Sequence, residues 1–187
     1  MPEEAVLIAG MKNPSTREAS YRTLISKHKE RLYWHIRKIV MDHDDADDVL
    51  QNTFIKVFRH IDGFNGDSKL YSWMYRIATN ESITFLNKKA KHLSMDLKTL
   101  QEQQVEALSS DVYFDGDAIQ LKLQKAIITL PHKQQIVFNM KYFDDLKYEE
   151  MSEILDTSVG SLKASYHHDR KNIELFLMND YNARSIN

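Results

Sequence analysis

The densest cluster of groups able to do chemistry is Asp44-Asp45-Ala46-Asp47-Asp48. Helix positions four apart share a face, so Asp44 and Asp48 could together hold Mg²⁺ and, through it, a diphosphate. Such a site needs a second acidic cluster facing the first. No other predicted helix carries one, and Asp144-Asp145 is a lone pair in an apparent turn. The acids also have a plainer use, because negative charge at a helix N-terminus meets the positive end of the macrodipole. The eight histidines form no H-E-x-x-H, and adjacent His167 and His168 point about 100° apart on a helix. The five glycines build neither a Walker loop nor G-x-G-x-x-G, and there is no G-x-S-x-G elbow. Without cysteine there is no disulfide, thiol nucleophile or Cys-ligated zinc or iron–sulfur site. Little room is left for an enzyme, and neither metal nor cofactor is expected.

Residues 69–91 hold different chemistry. Five basic side chains (Lys69, Arg76, Lys88, Lys89, Lys91) stand against one acid, Glu81, and are interleaved with Tyr71, Trp73, Tyr75 and Phe85. Cations contact phosphates and aromatic rings stack on unpaired bases, a combination suited to single-stranded nucleic acid. Core aromatics beside a solvated, lysine-rich helix end account for the same composition equally well.

The elements that must position these groups are helices. Five Gly and three Pro in 187 residues compare with about 12% in an average protein, and such residues punctuate strands and turns. Ser15-Thr16-Arg17-Glu18 reads as a capping box, followed by Tyr21, Leu24, Ile25, His28, Leu32, Ile36 and Ile39 at helical spacing. Leu50, Phe54, Val57 and Ile61 mark a second helix, and Asp67 or Ser68 is expected to cap a third through Trp73 and Ile77. Residues 92–117 lack a sustained stripe. Ile119, Leu123, Ala126, Ile127 and Leu130 then share a face, and Pro131 opens the next helix, where its missing amide costs nothing. Helices over about 147–155 and 159–178, joined by Asp156-Thr157-Ser158, make a helix-turn-helix candidate.

Charge divides the chain likewise. Residues 18–91 hold 13 Lys/Arg against 10 Asp/Glu, 92–117 one Lys against six acids, and 118–177 eight of each. The predicted fold is all-α: two small helical domains, 15–91 and 118–178, joined by a flexible acidic linker over 92–117. The apolar run at residues 5–9 is too short for a signal-peptide core and is flanked by Glu3 and Glu4. Nothing approaches the roughly 18 apolar residues of a spanning helix. A cytoplasmic protein without membrane insertion is expected.

Two sets of residues then carry a specific resemblance. The run Asp45-Ala46-Asp47-Asp48-Val49-Leu50-Gln51-Asn52-Thr53-Phe54, with Phe58, Phe64 and Ser72-Trp73-Met74-Tyr75-Arg76-Ile77-Ala78-Thr79-Asn80, resembles region 2 of a bacterial RNA polymerase sigma factor of the sigma-70 type. Leu130-Pro131-His132-Lys133-Gln134-Gln135-Ile136-Val137-Phe138, then Tyr148-Glu149-Glu150-Met151-Ser152-Glu153-Ile154-Leu155 and Ser158-Val159-Gly160-Ser161-Leu162-Lys163, is similar to region 4. The absence of a region between them matches the extracytoplasmic-function (ECF) subgroup.

The resemblance implies a non-catalytic initiation subunit that binds core RNA polymerase, directs it to promoters and helps melt DNA. It implies docking on the β′ coiled coil through Asp48, Gln51, Asn52 and Lys56, with Leu50 and Phe54 mainly inside, and contact of region 4 with the β flap. It implies reading and melting of the −10 element, with bases flipped into protein pockets, by Phe64, Asn65, Lys69, Trp73, Arg76, Asn80, Asn87 and Lys88. The helix from Val159 would read duplex −35 DNA through Ser161, Lys163, Ala164, His167, Arg170 and Lys171, with Val159, Leu162 and Tyr166 turned inward. An anti-sigma factor is a further implied partner. Two features depart from the pattern: Thr84 and Asn87 stand where an acid and Arg are common, and His168 and Asp169 stand where Arg and a small residue are common. Less positive charge toward phosphates predicts weak −35 binding, so that −35 reading is relaxed or an auxiliary factor helps place the polymerase. A helix-turn-helix regulator that never enters polymerase is the rival; it leaves residues 45–80 unexplained.

Overall fold

The computed structural model describes residues 2–110 and 118–184. Among them there are only helices and short connections: α1 (Pro2–Lys12), α2 (Arg17–Val40), α3 (His43–His60), α4 (Leu70–His92), α5 (Leu97–Ala107), α6 (Ala118–Ile127), α7 (His132–Tyr142), α8 (Tyr148–Leu155) and α9 (Val159–Arg184), with 3₁₀ turns at Ile61–Gly63 and Leu108–Ser110. Two compact units divide between Phe85 and Leu86, inside α4.

In the first unit, α2 stops at Met41, which takes the left-handed conformation (φ 60°) and donates its N–H to the Arg37 carbonyl. Asp42 then caps α3 by accepting the Asp45 N–H at 2.9 Å, and Asp44 and Asp45 occupy the first turn. The acidic knot is thus a helix start. Helix α3 turns Ala46, Val49, Leu50, Thr53, Phe54 and Val57 inward. Helix α4 contributes Leu70, Met74, Tyr75 and Ala78, all within 1% of full burial. A buried polar chain crosses this core: His35 Nε2 meets Thr79 Oγ1 at 2.9 Å, and Thr79 donates to the Tyr75 carbonyl at 2.8 Å.

Four local expectations differ from what is observed. The Ser15–Glu18 capping box does not form. Thr16 makes no side-chain cap at α2 because its hydroxyl donates to the Gly10 carbonyl at the end of α1, 2.9 Å away, and Glu18 pairs with Arg22. Neither Asp67 nor Ser68 is seen capping α4; its first amide, Leu70 N–H, is received by the Glu4 carboxylate at 2.7 Å. Helix α1 itself had no counterpart in the periodicity.

The fourth difference lies in the stretch read as a linker, where Leu97–Ala107 is helical. Asp96 caps it by accepting the Thr99 N–H at 2.8 Å, a bond that holds the Asp96 carboxyl below its ordinary range. Leu100, Val105 and Leu108 are buried, as is Gln101. Gln101 faces Gln135 of α7 in a reciprocal amide pair (2.9 and 3.3 Å), and Gln135 also donates to the Leu130 carbonyl at 2.8 Å. Residues 111–117 of the same stretch lie outside the described residues. The core of the second unit gathers Ala126, Ile127, Leu130, Phe138 and Ile173.

Candidate nucleic-acid interface

The side chains predicted to bind polymerase share the outer face of α3. Asp48, Gln51, Asn52 and Lys56 are exposed, while Leu50 and Phe54 are 4% and 6% exposed, so the inward and outward halves divide as expected. Lys56 also bonds the Glu81 carboxylate, tying α3 to α4. Ile55 and Phe58 stand exposed on the same helix, apolar groups that the polar motif did not single out. Arg17 lies 4.7 Å over the Phe58 ring, and Tyr21 packs edge-on against it. Burial pushes the Tyr21 hydroxyl up to about 12, and that hydroxyl donates to the Phe54 carbonyl.

The loop between the 3₁₀ turn and α4 brings the next group together. Asn65 and Lys69 are exposed. Phe64 is only 6% exposed, and its ring lies 5.1 Å from that of Trp73, which is half-buried on α4. Trp73, Arg76 and Asn80 recur at spacings of three and four and so share a helix face, with Arg76 and Asn80 open to solvent. Asn87 and Lys88 are exposed farther along α4, past the division at Phe85. Gly66 takes a left-handed φ of 82°, a conformation that favours glycine because it has no Cβ.

In the second unit, α8 ends on Asp156 at φ 49°, ψ 48°, and the chain re-enters a helix three residues later. Ser158 starts α9: its Oγ accepts the Ser161 N–H at 3.2 Å. Leu162 is buried and Tyr166 half-buried, its ring stacked 5.6 Å from Phe138. Ser161, Lys163, Ala164, His167, Arg170 and Lys171 all face solvent. Lys163 Nζ sits 5.6 Å over the Tyr148 ring, and Arg170 pairs with Glu174 at 3.1 Å.

Asp169 departs from the expected DNA-facing position. It is fully buried, its Oδ2 accepts the Ser165 hydroxyl at 2.9 Å, and burial pushes its carboxyl up despite that bond and nearby His168. The reason is periodicity. Position 169 falls three past Tyr166 and four before Ile173, on the inward stripe. His168, by contrast, is exposed as expected.

No group of three or more His, Asp or Glu suited to a metal ion occurs among the described residues, and none of their helices is long and apolar enough to cross a membrane. What the geometry offers is an exposed polar helix face, an aromatic and basic loop–helix corner, and a helix-turn-helix presenting cations. Together these are surfaces suited to a helical nucleic-acid-binding protein.

Comparison with known proteins narrows that class. Residues 24–92 match Sigma-70 region 2 and residues 120–173 match Sigma-70, region 4. The chain is 30% identical to the ECF RNA polymerase sigma factor SigW of Bacillus subtilis over 161 residues, 81% of this chain and 86% of the relative. It is 28% identical to the RNA polymerase sigma factor SigV of the same organism, over 86% of this chain and 93% of that one. The fold matches CnrH, solved in complex with the cytosolic domain of CnrY, with a TM-score of 0.68 and 18% identity over 95% of this chain and 98% of that one. It also matches RpoE of Bartonella quintana, solved with the anti-sigma factor NepR, with a TM-score of 0.64 and 18% identity over 84% and 96%. The chain belongs to the ECF subgroup of sigma-70-type RNA polymerase sigma factors. It is a non-catalytic initiation subunit that binds RNA polymerase and directs it to promoter DNA.

Proposed function

We propose that the chain docks on the β′ coiled coil of core polymerase through the outer face of α3, with Asp48, Gln51 and Asn52 as the contacting groups and Lys56 held in register by Glu81. The observation that carries this is the division of α3: Val49, Leu50, Thr53 and Phe54 are buried while those four polar groups face water. Alternation supplies a polar surface on a rigid helix, and such a surface fixes register on a partner.

The −10 element is read at the loop–α4 corner. An unpaired base stacks on Trp73, with the Phe64 ring beneath as support, while Asn65, Arg76 and Asn80 offer hydrogen bonds and Lys69 and Lys88 contact phosphates, with Asn87 alongside. Stacking on an aromatic contributes about 1–3 kcal/mol per base, enough to offset the few kcal/mol of unstacking it. In the second unit, the N-terminal half of α9 enters the major groove of the −35 element, led by Ser161, Lys163 and Ala164. His167, Arg170 and Lys171 follow toward the backbone. The same unit contacts the β flap. With His168 standing where the family commonly has Arg, −35 binding is weak, and −35 reading is relaxed or an auxiliary factor helps place the polymerase. An anti-sigma factor binds and restrains the chain, a class of partner with which RpoE of Bartonella quintana was solved. The working boundaries are 15–91 for region 2, 92–117 for the linker and 118–178 for region 4, acting in the cytoplasm.

Co-elution of the full chain with sigma-free core polymerase tests the docking face. The wild type is expected to bind stoichiometrically and Asp48→Arg/Gln51→Ala to bind at least tenfold more weakly, since a reversed charge at a complementary surface is repulsive. Equal binding by both would move the docking surface elsewhere.

A further inference from the structure

Three side chains upstream of residue 24, where the region 2 match begins, reach the loop assigned to −10 reading. Lys12 Nζ donates to the Phe64 carbonyl at 2.7 Å. Glu4 Oε1 accepts the Leu70 N–H at 2.7 Å, taking the role of an N-cap for α4 from 66 residues away. Arg17 donates to Asp62 at 3.1 Å and to the Phe58 carbonyl at 2.9 Å. The loop is therefore gripped where it leaves α3, at Phe64 and where it enters α4.

The strut that delivers Glu4 and Lys12 is itself anchored. Met11 is 1% exposed, Glu3 pairs with Lys27 of α2 at 3.2 Å, and the Thr16 hydroxyl ties the Gly10 carbonyl. At Gly10 the helices approach so closely that a Cβ would lie 2.2 Å from Ser20 Oγ. A carboxylate at the start of α4 also meets the positive end of that helix's dipole. Both contacts are to backbone atoms of the loop, so they set its path rather than its sequence.

We infer that Glu4 and Lys12 are positioning residues for promoter melting. From α1 they hold the 64–70 backbone so that Asn65, Lys69 and the Phe64–Trp73 pair are ordered before DNA arrives. Preorganisation lowers the ordering cost of binding and of the strained step that follows. This inference rests on the −10 reading above and adds to it a function for a segment outside the family match.

The test uses full-length chain reconstituted with core polymerase, on a duplex selected by the wild-type holoenzyme from a library randomised across both promoter elements. Permanganate reactivity of unpaired thymines gives the opening rate, core affinity is measured in parallel, and thermal melting checks the fold. Glu4→Ala and Lys12→Ala are each expected to slow opening about tenfold, the usual cost of a lost charge-assisted cap or bond, with core affinity unchanged. Glu4→Gln, which still offers an acceptor, and Lys12→Arg, which still donates, should recover most of the rate. Trp73→Ala and Asn80→Ala run alongside. If those two slow opening while both α1 alanine variants stay within twofold of wild type, the positioning role is wrong and the −10 reading stands. If core affinity falls in step with opening, or the conservative variants fail like alanine, α1 is a general fold element and the inference is overturned. If Trp73→Ala and Asn80→Ala also leave opening unchanged, the −10 reading falls and takes the inference with it.

Discussion

The Gln101–Gln135 pair makes a quantitative prediction about how α5 is held. Both side chains are almost fully buried, at 2% and 4% exposure. Gln101→Leu keeps the approximate volume but removes both amide–amide bonds (2.9 and 3.3 Å), leaving Gln135 Oε1 without that donor while its Nε2 keeps the Leu130 carbonyl. One orphaned buried acceptor costs about 1–3 kcal/mol. The pair lines an open cleft of about 320 Å³ beside Ile128 and Pro131, so water can relieve part of this and about 1.5 kcal/mol is expected. Gln135→Leu strands more groups, namely both polar ends of Gln101 and the share of the Leu130 carbonyl that Gln135 satisfied, for about 3 kcal/mol. The double leucine variant leaves only that carbonyl and should cost about 1 kcal/mol. The sum of the singles thus exceeds the double by about 3.5 kcal/mol, slightly above the usual range of couplings between neighbours. Urea unfolding followed by far-UV circular dichroism measures the cycle. Trp34 and Trp73 both precede the division at Phe85, so tryptophan emission monitors the first unit as an internal control. Additive singles, with coupling below about 0.5 kcal/mol, would refute the claim that the amides satisfy each other in α5 docking.

Two further outcomes follow from α9. Burial raises the Asp169 pKa above its ordinary 3.8, so between those two values the native chain binds more protons than the unfolded one. Stability therefore falls as pH rises through that window, and the ionised carboxylate is a cost at neutral pH. Asp169→Asn keeps an acceptor for the Ser165 hydroxyl and should raise the melting temperature at pH 7, a gain that shrinks as pH falls through the window; a lower melting temperature at pH 7 would contradict it. His168 is two-thirds exposed on the same helix and stands where the family commonly has Arg. His168→Arg should steepen the salt dependence of non-specific duplex binding by the full chain, by about 0.9 in the log–log slope. An unchanged slope would show that position 168 does not reach a phosphate.

The helices were legible because their evidence is local. A stripe such as Leu50, Phe54 and Val57 states both the period and the inward face, and the polar residues between them are left outside. The resemblance singled out the outward residues of α3 and α9, and the same alternation leaves them exposed. The two missed buried polar residues share one cause. Gln101 and Asp169 occupy inward positions but are polar, so each interrupts a stripe that is otherwise continuous: Leu97, Leu100, Val105 and Leu108 in the first case, Leu162, Tyr166 and Ile173 in the second. Their burial is made tolerable by partners, Gln135 and Ser165. Helix α1 escaped for the opposite reason. Its run of apolar residues has no polar face to set a period, and Val6 is left 72% exposed.

The −10 corner shows where local reading stops having purchase. Asp67 and Ser68 have the right chemistry to cap α4 and stand beside its start, yet Leu70 N–H bonds to Glu4. Thr16 likewise leaves its own helix uncapped and serves a carbonyl of α1. Capping motifs are statements about which group is nearest along the chain, whereas a folded core offers groups that are nearest in space, at equal bond strength. Phe64 illustrates the consequence for function. As a loop aromatic it reads as a base-stacking group, but packing against Trp73 makes it the floor of the corner. Residue types near a motif therefore singled out the segment, while the burial of Phe64 and the path of the loop are set by tertiary contacts from α4 and α1.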